Sequence, residues 1–335
     1  MKLGLDSYST RNSGLAPVGV LELAHQLGLQ GVLFELSPFR SFRDADLLHV
    51  RQTAERLRLY VELGMGSIFH WHPMAAKGRE LLTDAGYDAG VSESATVIEH
   101  LDVAQKLGSP LLRCVGGNLF TRDEGHDMTA LADRVVTILG EPCREAQRRG
   151  MRIAMENHAD FTVRELASIL ARIGSPAFGF TVDSANLAFD LDDPLRLARI
   201  MAPYALTTHY KNYRVLRTPH GLALENCELG GGDLDVAAIA AILAEHNPQI
   251  HVNIEIHSQF APFRLDILDE SYFRRHPAPP GDGLAWYLKQ SWNRPVLADP
   301  PANLPDGPAA WAVELEHLTA SADWAKHNLA HLLTI

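Results

Sequence analysis

The sequence predicts an α/β fold, a closed (β/α)8 or TIM barrel. Two observations carry that expectation. Short apolar runs of strand length alternate with stretches of helical period, and the alternation repeats eight times. The later strand-like runs each stop on a carboxylate or an imidazole, and C-terminal strand ends are where a barrel carries its working residues. A doubly wound open sheet is the alternative, weakened because no Gly-x-Gly-x-x-Gly follows the first strand. We expect one domain over residues 1–335, with an irregular insertion over about 258–308 before the last helix.

The elements follow in order. Residues 2–5 read as the first strand, with Asp6 at its end. Residues 17–27 carry Val20, Leu21, Leu23, Ala24 and Leu27 at helical spacing, and Gly28 suits the C-cap. A second strand covers 31–36, and a second helix covers 44–57, opened by Asp44, a residue of the N-cap type. The third strand is 59–65, followed by a helix over 92–107 with Gly108 as its stop. The fourth strand is 111–115, and the helix after it runs over 129–149. Strand five ends on Glu156, and Thr162 with Glu165 forms a capping box for the next helix. Strand six, 178–182, ends on Asp183, and a helix follows from about 194 to 201. Strand seven ends on His209, before an irregular stretch over 213–232 and a helix over 234–245. Strand eight ends on Glu255. Residues 262–308, rich in Pro and Gly, show little periodicity. Residues 309–333 close the chain as a helix with Trp311, Leu315, Leu318 and Trp324 toward a core.

Composition narrows the function. A hydrophobic share of 46% and a charged share of 21% are ordinary for a globular chain. A formal charge of −11 disfavours a nucleic-acid or anionic-membrane partner. No apolar run approaches the roughly 18 residues of a membrane span. Cys114, Cys143 and Cys227 are odd in number and lack a CxxC pair, which suggests neither a disulfide framework nor a zinc-thiolate site. The N-terminal residues run directly into a strand without the order of a signal peptide. A cytoplasmic location is the expectation.

Glu156, Asp183, His209 and Glu255 lie 27, 26 and 46 residues apart, the first two spacings being one βα unit each. On parallel neighbours they converge, and two Glu, one Asp and one His make a mostly oxygen site for one divalent cation. His158, two residues past Glu156, falls on the same side if the strand persists and is a candidate general base or acid; a hydrogen-bonding role beside the metal is the plainer account. Lys211, two past His209, suits a substrate oxygen or a plain ion pair. His257 stands in the same relation to Glu255. His70, Trp71 and His72 suit a sugar pocket or an ordinary surface loop.

Glu156-Asn157-His158, Val182-Asp183-Ser184-Ala185-Asn186, His209-Tyr210-Lys211-Asn212, Ile254-Glu255 and the glycine-rich 229–235 resemble the strand-five to strand-eight signatures of the xylose-isomerase-like barrel family. That family includes sugar isomerases, ketose 3-epimerases and related lyases. The resemblance covers about residues 1–260 and the closing helix. It implies that Glu156, Asp183, His209 and Glu255 ligate Mn²⁺ or a similar ion such as Mg²⁺ or Co²⁺. Asn186 stands where ketose 3-epimerases usually carry His, and Asn157 where they often carry Pro. A cation held in this way stabilises an enediolate after proton loss from the adjacent carbon, with His158, Glu156 or Glu255 as proton carriers and Lys211 on a substrate oxygen. The chemistry expected is isomerisation or epimerisation of a sugar or keto-sugar. The alternative is elimination from a 3-keto C-glycoside, as in the α subunit of C-glycoside deglycosidases, which works with a small β subunit. A noncatalytic sugar-binding protein is a third reading, disfavoured by the intact donor set. Trp286 and Trp292 hint at a homo-oligomer or partner interface, with a cover over the barrel rim as the plainer account.

Overall fold

The computed structural model describes residues 1–88, 90–257, 261–297 and 304–334. Seven parallel strands lie side by side in chain order: β1 (Leu3–Asp6), β2 (Gly31–Phe34), β3 (Tyr60–Ser67), β4 (Leu111–Val115), β5 (Arg152–Glu156), β6 (Phe178–Asp183) and β7 (Ala205–His209). Two further strands, β8 (Asn212–Thr218) and β9 (Gly221–Cys227), form an antiparallel hairpin outside that sheet. β10 (Val252–Ile254) pairs in parallel with β1. Beyond β7, the Tyr210 N–H donates to the Asn253 carbonyl (2.7 Å) and its carbonyl accepts from the Glu255 N–H (3.0 Å), which brings the eighth strand against the seventh. The result is a nearly closed barrel of eight parallel strands, as the alternation predicted.

The helices form the outer ring: α1 (Pro17–Gln26), α2 (Asp44–Leu57), α3 (Ala76–Asp84), α4 (Glu93–Leu107), α5 (Met128–Arg148), α6 (Val163–Ile173), α7 (Pro194–Met201) and α8 (Val236–His246). Capping chemistry sets several starts. Ser92 and Asp127 accept hydrogen bonds from the first turns of α4 and α5, and Thr162 with Glu165 completes the expected capping box on α6. Gly108 takes a left-handed conformation (φ 89°) to end α4. Asp44 is not the cap of α2; Arg43 precedes the helix and Asp44 lies in its first turn, where a carboxylate still suits the helix dipole.

Two stretches expected to be irregular are ordered. Residues 212–227 are the hairpin, in which Tyr213, Val215, Leu222 and Leu224 are buried. Within 258–308, where 258–260 and 298–303 lie outside the described residues, β11 (Phe263–Leu265) joins the hairpin as a third strand, and α9 (Tyr272–Arg275) and α10 (Gly281–Ser291) follow. α11 (Gly307–Asn328) closes the chain. Its inner face differs from the expected one. Leu318 is buried, but the neighbouring inward position belongs to Glu314, fully buried against Arg11 (2.9 Å) and Asn12 (3.1 Å), while Trp311 and Leu315 are half-buried.

Period two along the strands stacks the interior in layers. Thr207 and Asn253 point inward below His209 and Glu255. In the lower layer the Glu62 carboxylate accepts from Thr207 Oγ1 (2.5 Å), Asn253 Nδ2 (3.2 Å) and His251 Nδ1 (2.8 Å). Tyr60 stacks on His251 and donates its hydroxyl to Asn253 Oδ1 (2.6 Å). Gly4 and Gly31 leave the space this ring fills, since a Cβ at either would collide with Tyr60.

Candidate metal centre

The upper layer holds the strand-end residues singled out in the sequence. Glu156, Asp183 and His209 are the last residues of β5, β6 and β7, and Glu255 directly follows β10. All four are buried, and each offers a ligand-type atom within 4.8 Å of the others. His209 Nδ1 lies 3.2 Å from Glu156 Oε2 and 3.0 Å from Glu255 Oε2. On its other side Nε2 faces Asp6 Oδ2 at 3.1 Å. Asp6 thus stands behind the imidazole, and Nδ1 is the nitrogen turned toward Glu156 and Glu255.

Three flanking side chains fix the carboxylates. Arg113 forks onto Glu156 (Nε to Oε2, 2.5 Å, with Nη2 on the same oxygen) and reaches Glu35 Oε1 through Nη1 at 2.8 Å. Lys211 Nζ sits between Asp183 Oδ2 (2.7 Å) and Glu255 Oε2 (3.0 Å). His257 Nε2 touches Glu255 Oε1 at 2.6 Å. Asp6, Glu35, Glu156, Asp183 and Glu255 are five carboxylates facing two permanent cations, Arg113 and Lys211, an excess of negative charge at this end of the barrel.

The electrostatics follow. Burial by itself would raise Glu156, but Arg113 and His209 hold it well below the usual carboxylate range. Glu255 is likewise held down, against burial, by Lys211 and His257. Asp183 goes the other way; burial outweighs Lys211 and pushes it up to about 7. The surrounding carboxylates override burial on His209 and hold its proton.

This donor set fits a divalent cation. Asp183 Oδ2, Glu255 Oε2 and both nitrogens of His209 are buried without a well-aligned hydrogen bond. Three carboxylates and one imidazole are hard-to-borderline donors suited to Mn²⁺, Mg²⁺ or a similar ion.

Beside the cluster lies a cavity of about 310 Å³. Glu35, Arg113, His158, Lys211, Glu255 and His257 line its polar side. Phe120, Phe189, Leu224 and Phe263 are among its apolar lining. His158 donates Nδ1–H to the Gly117 carbonyl at 2.8 Å, which leaves Nε2 as its basic nitrogen, and burial lowers its pKa. Lys211 is in the cavity wall as well as in its ion pairs. The His70–His72 loop is spent elsewhere: His70 meets Thr96 at 2.9 Å and Trp71 stacks on His126. Of that region it is Met74 that reaches the cavity. Asp6 and the cavity residues carried by β9 and β11 were not singled out in the sequence. Asp6 could have been, since β1 ends on a carboxylate as β5 and β6 do.

Residues 21–271 match the family described as xylose isomerase-like TIM barrel. Two curated relatives are similar to the chain. One is an uncharacterized protein of Escherichia coli (strain K12), YihM, 24% identical over 179 residues, and the match spans about half of either chain, 52% of each. The other is the 3-oxo-isoapionate decarboxylase of Pectobacterium atrosepticum, 22% identical over 76% of this chain and 85% of its own. Among solved structures, D-psicose 3-epimerase from Clostridium cellulolyticum H10, with D-tagatose, superposes with a TM-score of 0.62 at 15% identity, over 98% of this chain and 99% of its own. At that identity the likeness is one of fold.

Proposed function

Because the chain belongs to the xylose isomerase-like TIM-barrel family and gathers four cation-type donors at its mouth, we propose that it is a divalent-metal-dependent enzyme that isomerises or epimerises a sugar or keto-sugar. The observation that carries this reading is the convergence of Glu156, Asp183, His209 and Glu255 within 4.8 Å, next to a cavity of sugar size. These four would hold the ion, Mn²⁺ by the family resemblance. When bound it supplies a Lewis acid that polarises a carbonyl and offsets charge developing on oxygen. The chain's own residues do the rest. His158 Nε2 takes the proton from the carbon next to the carbonyl. Glu156, doubly gripped by Arg113, stays anionic and serves mainly in binding. Glu255, backed by His257, is the second proton-transfer group. Lys211 holds a substrate oxygen from the cavity wall. Return of the proton to the neighbouring carbon isomerises; return from the opposite face epimerises.

One observation favours a second reading. Phe120, Phe189, Leu224 and Phe263 share the cavity lining with the polar residues, and a free sugar has little apolar surface to cover them. A keto-glycoside does, and proton loss followed by departure of the aglycone would make the chain a lyase, with a small β subunit as partner. The exposed Leu288 and Trp292 on and just after α10 suit such a contact or a homo-oligomer, whereas Trp286 packs against the core. The three buried free cysteines suit a reducing cytoplasm. Among the described residues no helix is long and apolar enough to cross a membrane.

The test is incubation with Mn²⁺ in D₂O against ketoses and 3-keto-glycosides, read by NMR and mass spectrometry. Deuterium in a recovered or isomerised sugar supports the first reading, and release of an aglycone the second. Absence of both with the ion bound and no rescue by a partner chain rejects enolisation chemistry.

A further inference from the structure

We propose that Asn157, Ser184 and Ser9 are positioning residues that set the spacing of the four donors, so that cation affinity is what they chiefly control. The inference rests on the reading of the cluster as a cation site.

The backbone ladder of a barrel ends where its strands end, and the donors sit at that limit. Just past it, three side chains continue the pairing, each by a two-pronged hydrogen bond. Asn157 donates Nδ2–H to the Asp183 carbonyl (2.9 Å), and its Oδ1 accepts from the Asp183 N–H (2.8 Å), so β5 grips the peptide units on both sides of a donor residue on β6. Ser184 Oγ donates to the Lys211 carbonyl (2.7 Å) and accepts from the Lys211 N–H (2.9 Å), tying the end of β6 to the chain just past His209. Ser9 Oγ donates to the Ile254 carbonyl (3.3 Å) and accepts from the Ile256 N–H (2.8 Å), straddling Glu255 and holding it to the end of β1. Between β7 and β10 the Tyr210 backbone supplies the same two prongs.

Only groups that both donate and accept can do this, which is why an amide and two hydroxyls stand there. All three are fully buried. Alanine at any of them would strand one N–H and one C=O beside a donor. Around the rest of the mouth Ser7 Oγ accepts from the Glu35 N–H at 2.7 Å, and Ser67 Oγ donates to the Gly116 carbonyl while accepting from the Phe69 N–H of its own segment (3.1 Å). Two-pronged bridges also occur elsewhere, as where Thr208 Oγ1 donates to the His251 carbonyl (2.6 Å) and accepts from the Asn253 N–H (3.3 Å); those of Asn157, Ser184 and Ser9 are the ones that lie beside Asp183, His209 and Glu255.

The test uses the full chain and Mn²⁺ alone as probe. Calorimetric Mn²⁺ affinity and urea unfolding of the metal-free protein are measured for N157A, S184A, S9A and S184T. We expect Mn²⁺ binding to weaken about 10- to 100-fold in N157A and S184A, in line with losses seen when a ligand's supporting partner is removed. S184T, which keeps the hydroxyl, should bind as wild type does, and the Mn²⁺ EPR lines should broaden in the alanine variants as the donor geometry spreads. Variants that unfold earlier yet bind Mn²⁺ with wild-type affinity overturn the inference and leave the clamps as framework alone. A wild-type chain that takes up no Mn²⁺ overturns the cation reading itself, an outcome distinct from the first.

Discussion

Two polar layers lie inside one barrel, about 7 Å apart by the rise of two strand residues, and they are built to opposite rules. In the lower layer the single carboxylate of Glu62 is met by Thr207, His251 and Asn253, and Tyr60 closes the set. Among the described residues, none of these five side chains keeps a buried polar atom without a hydrogen bond. In the upper layer carboxylates outnumber the permanent cations, and the buried atoms of Asp6, Asp183, His209 and Glu255 meet through ion pairs rather than through well-aligned hydrogen bonds. A closed network holds a shape. An open one of like charges is costly to fold around, and such an arrangement is found where a protein binds something.

The comparison can be broken at several points. The largest effect expected is from E156Q, which should cut turnover by at least about 10³-fold and weaken Mn²⁺ binding, seen in steady-state rates and calorimetry. Full activity in that variant would remove Glu156 from the site. H158A should lower turnover by about 10²- to 10⁴-fold while leaving Mn²⁺ affinity intact; loss of the ion would make His158 a support for the donors. In the lower layer E62A should lower the free energy of unfolding by about 3 kcal/mol and leave Mn²⁺ affinity unchanged, because it strands three hydrogen-bond donors far from the ion.

A titratable group outside both layers gives a pH control. Burial pushes His100, against Phe42, down to about 4 from 6.5. The stability held by the neutral ring is complete above pH 6.5 and is lost as pH falls toward 4, by about 3 kcal/mol at most. Urea unfolding across that range should show the slope, and H100Q should flatten it. The smallest effect sharpens the contrast most. Burial raises Asp183 to about 7 from 3.8, so its ionisation costs stability increasingly as pH rises between those values and in full above the upper one. D183N should raise the melting temperature of the metal-free protein at pH 8 while weakening Mn²⁺ binding, a gain in stability at the expense of function.

Most of the barrel was legible because apolar runs and helical periods are local signals, and the convergence of Glu156, Asp183, His209 and Glu255 was legible because each stands at or just past the end of its own strand. What escaped was either masked locally or settled across space. Leu222, Ala223 and Leu224 form an apolar run without clear alternation on one strand of the hairpin, so 213–232 read as irregular although Tyr213 and Val215 alternate on the other. On α11 the expected apolar stripe passed over Glu314, because a buried carboxylate is visible only once Arg11 is placed beside it. Arg113 meets Glu156 from 43 residues away, and Ser9 meets Ile256 from 247 away, separations at which no pattern in the sequence speaks. The clamps also look like ordinary polar residues until the strands are set in register.

The cavity's charged lining and part of its apolar lining come from different parts of the chain. The charged residues and histidines lie on or just past barrel strand ends, and Phe120 and Phe189 on the loops after β4 and β6, whereas Leu224 and Phe263 are carried by a three-stranded sheet outside the barrel. A change of length or sequence in that outer sheet can therefore exchange one substrate's appendage for another without disturbing the donors. Relatives that share the chemistry can diverge in diet, and the place to look for that divergence is the hairpin rather than the barrel.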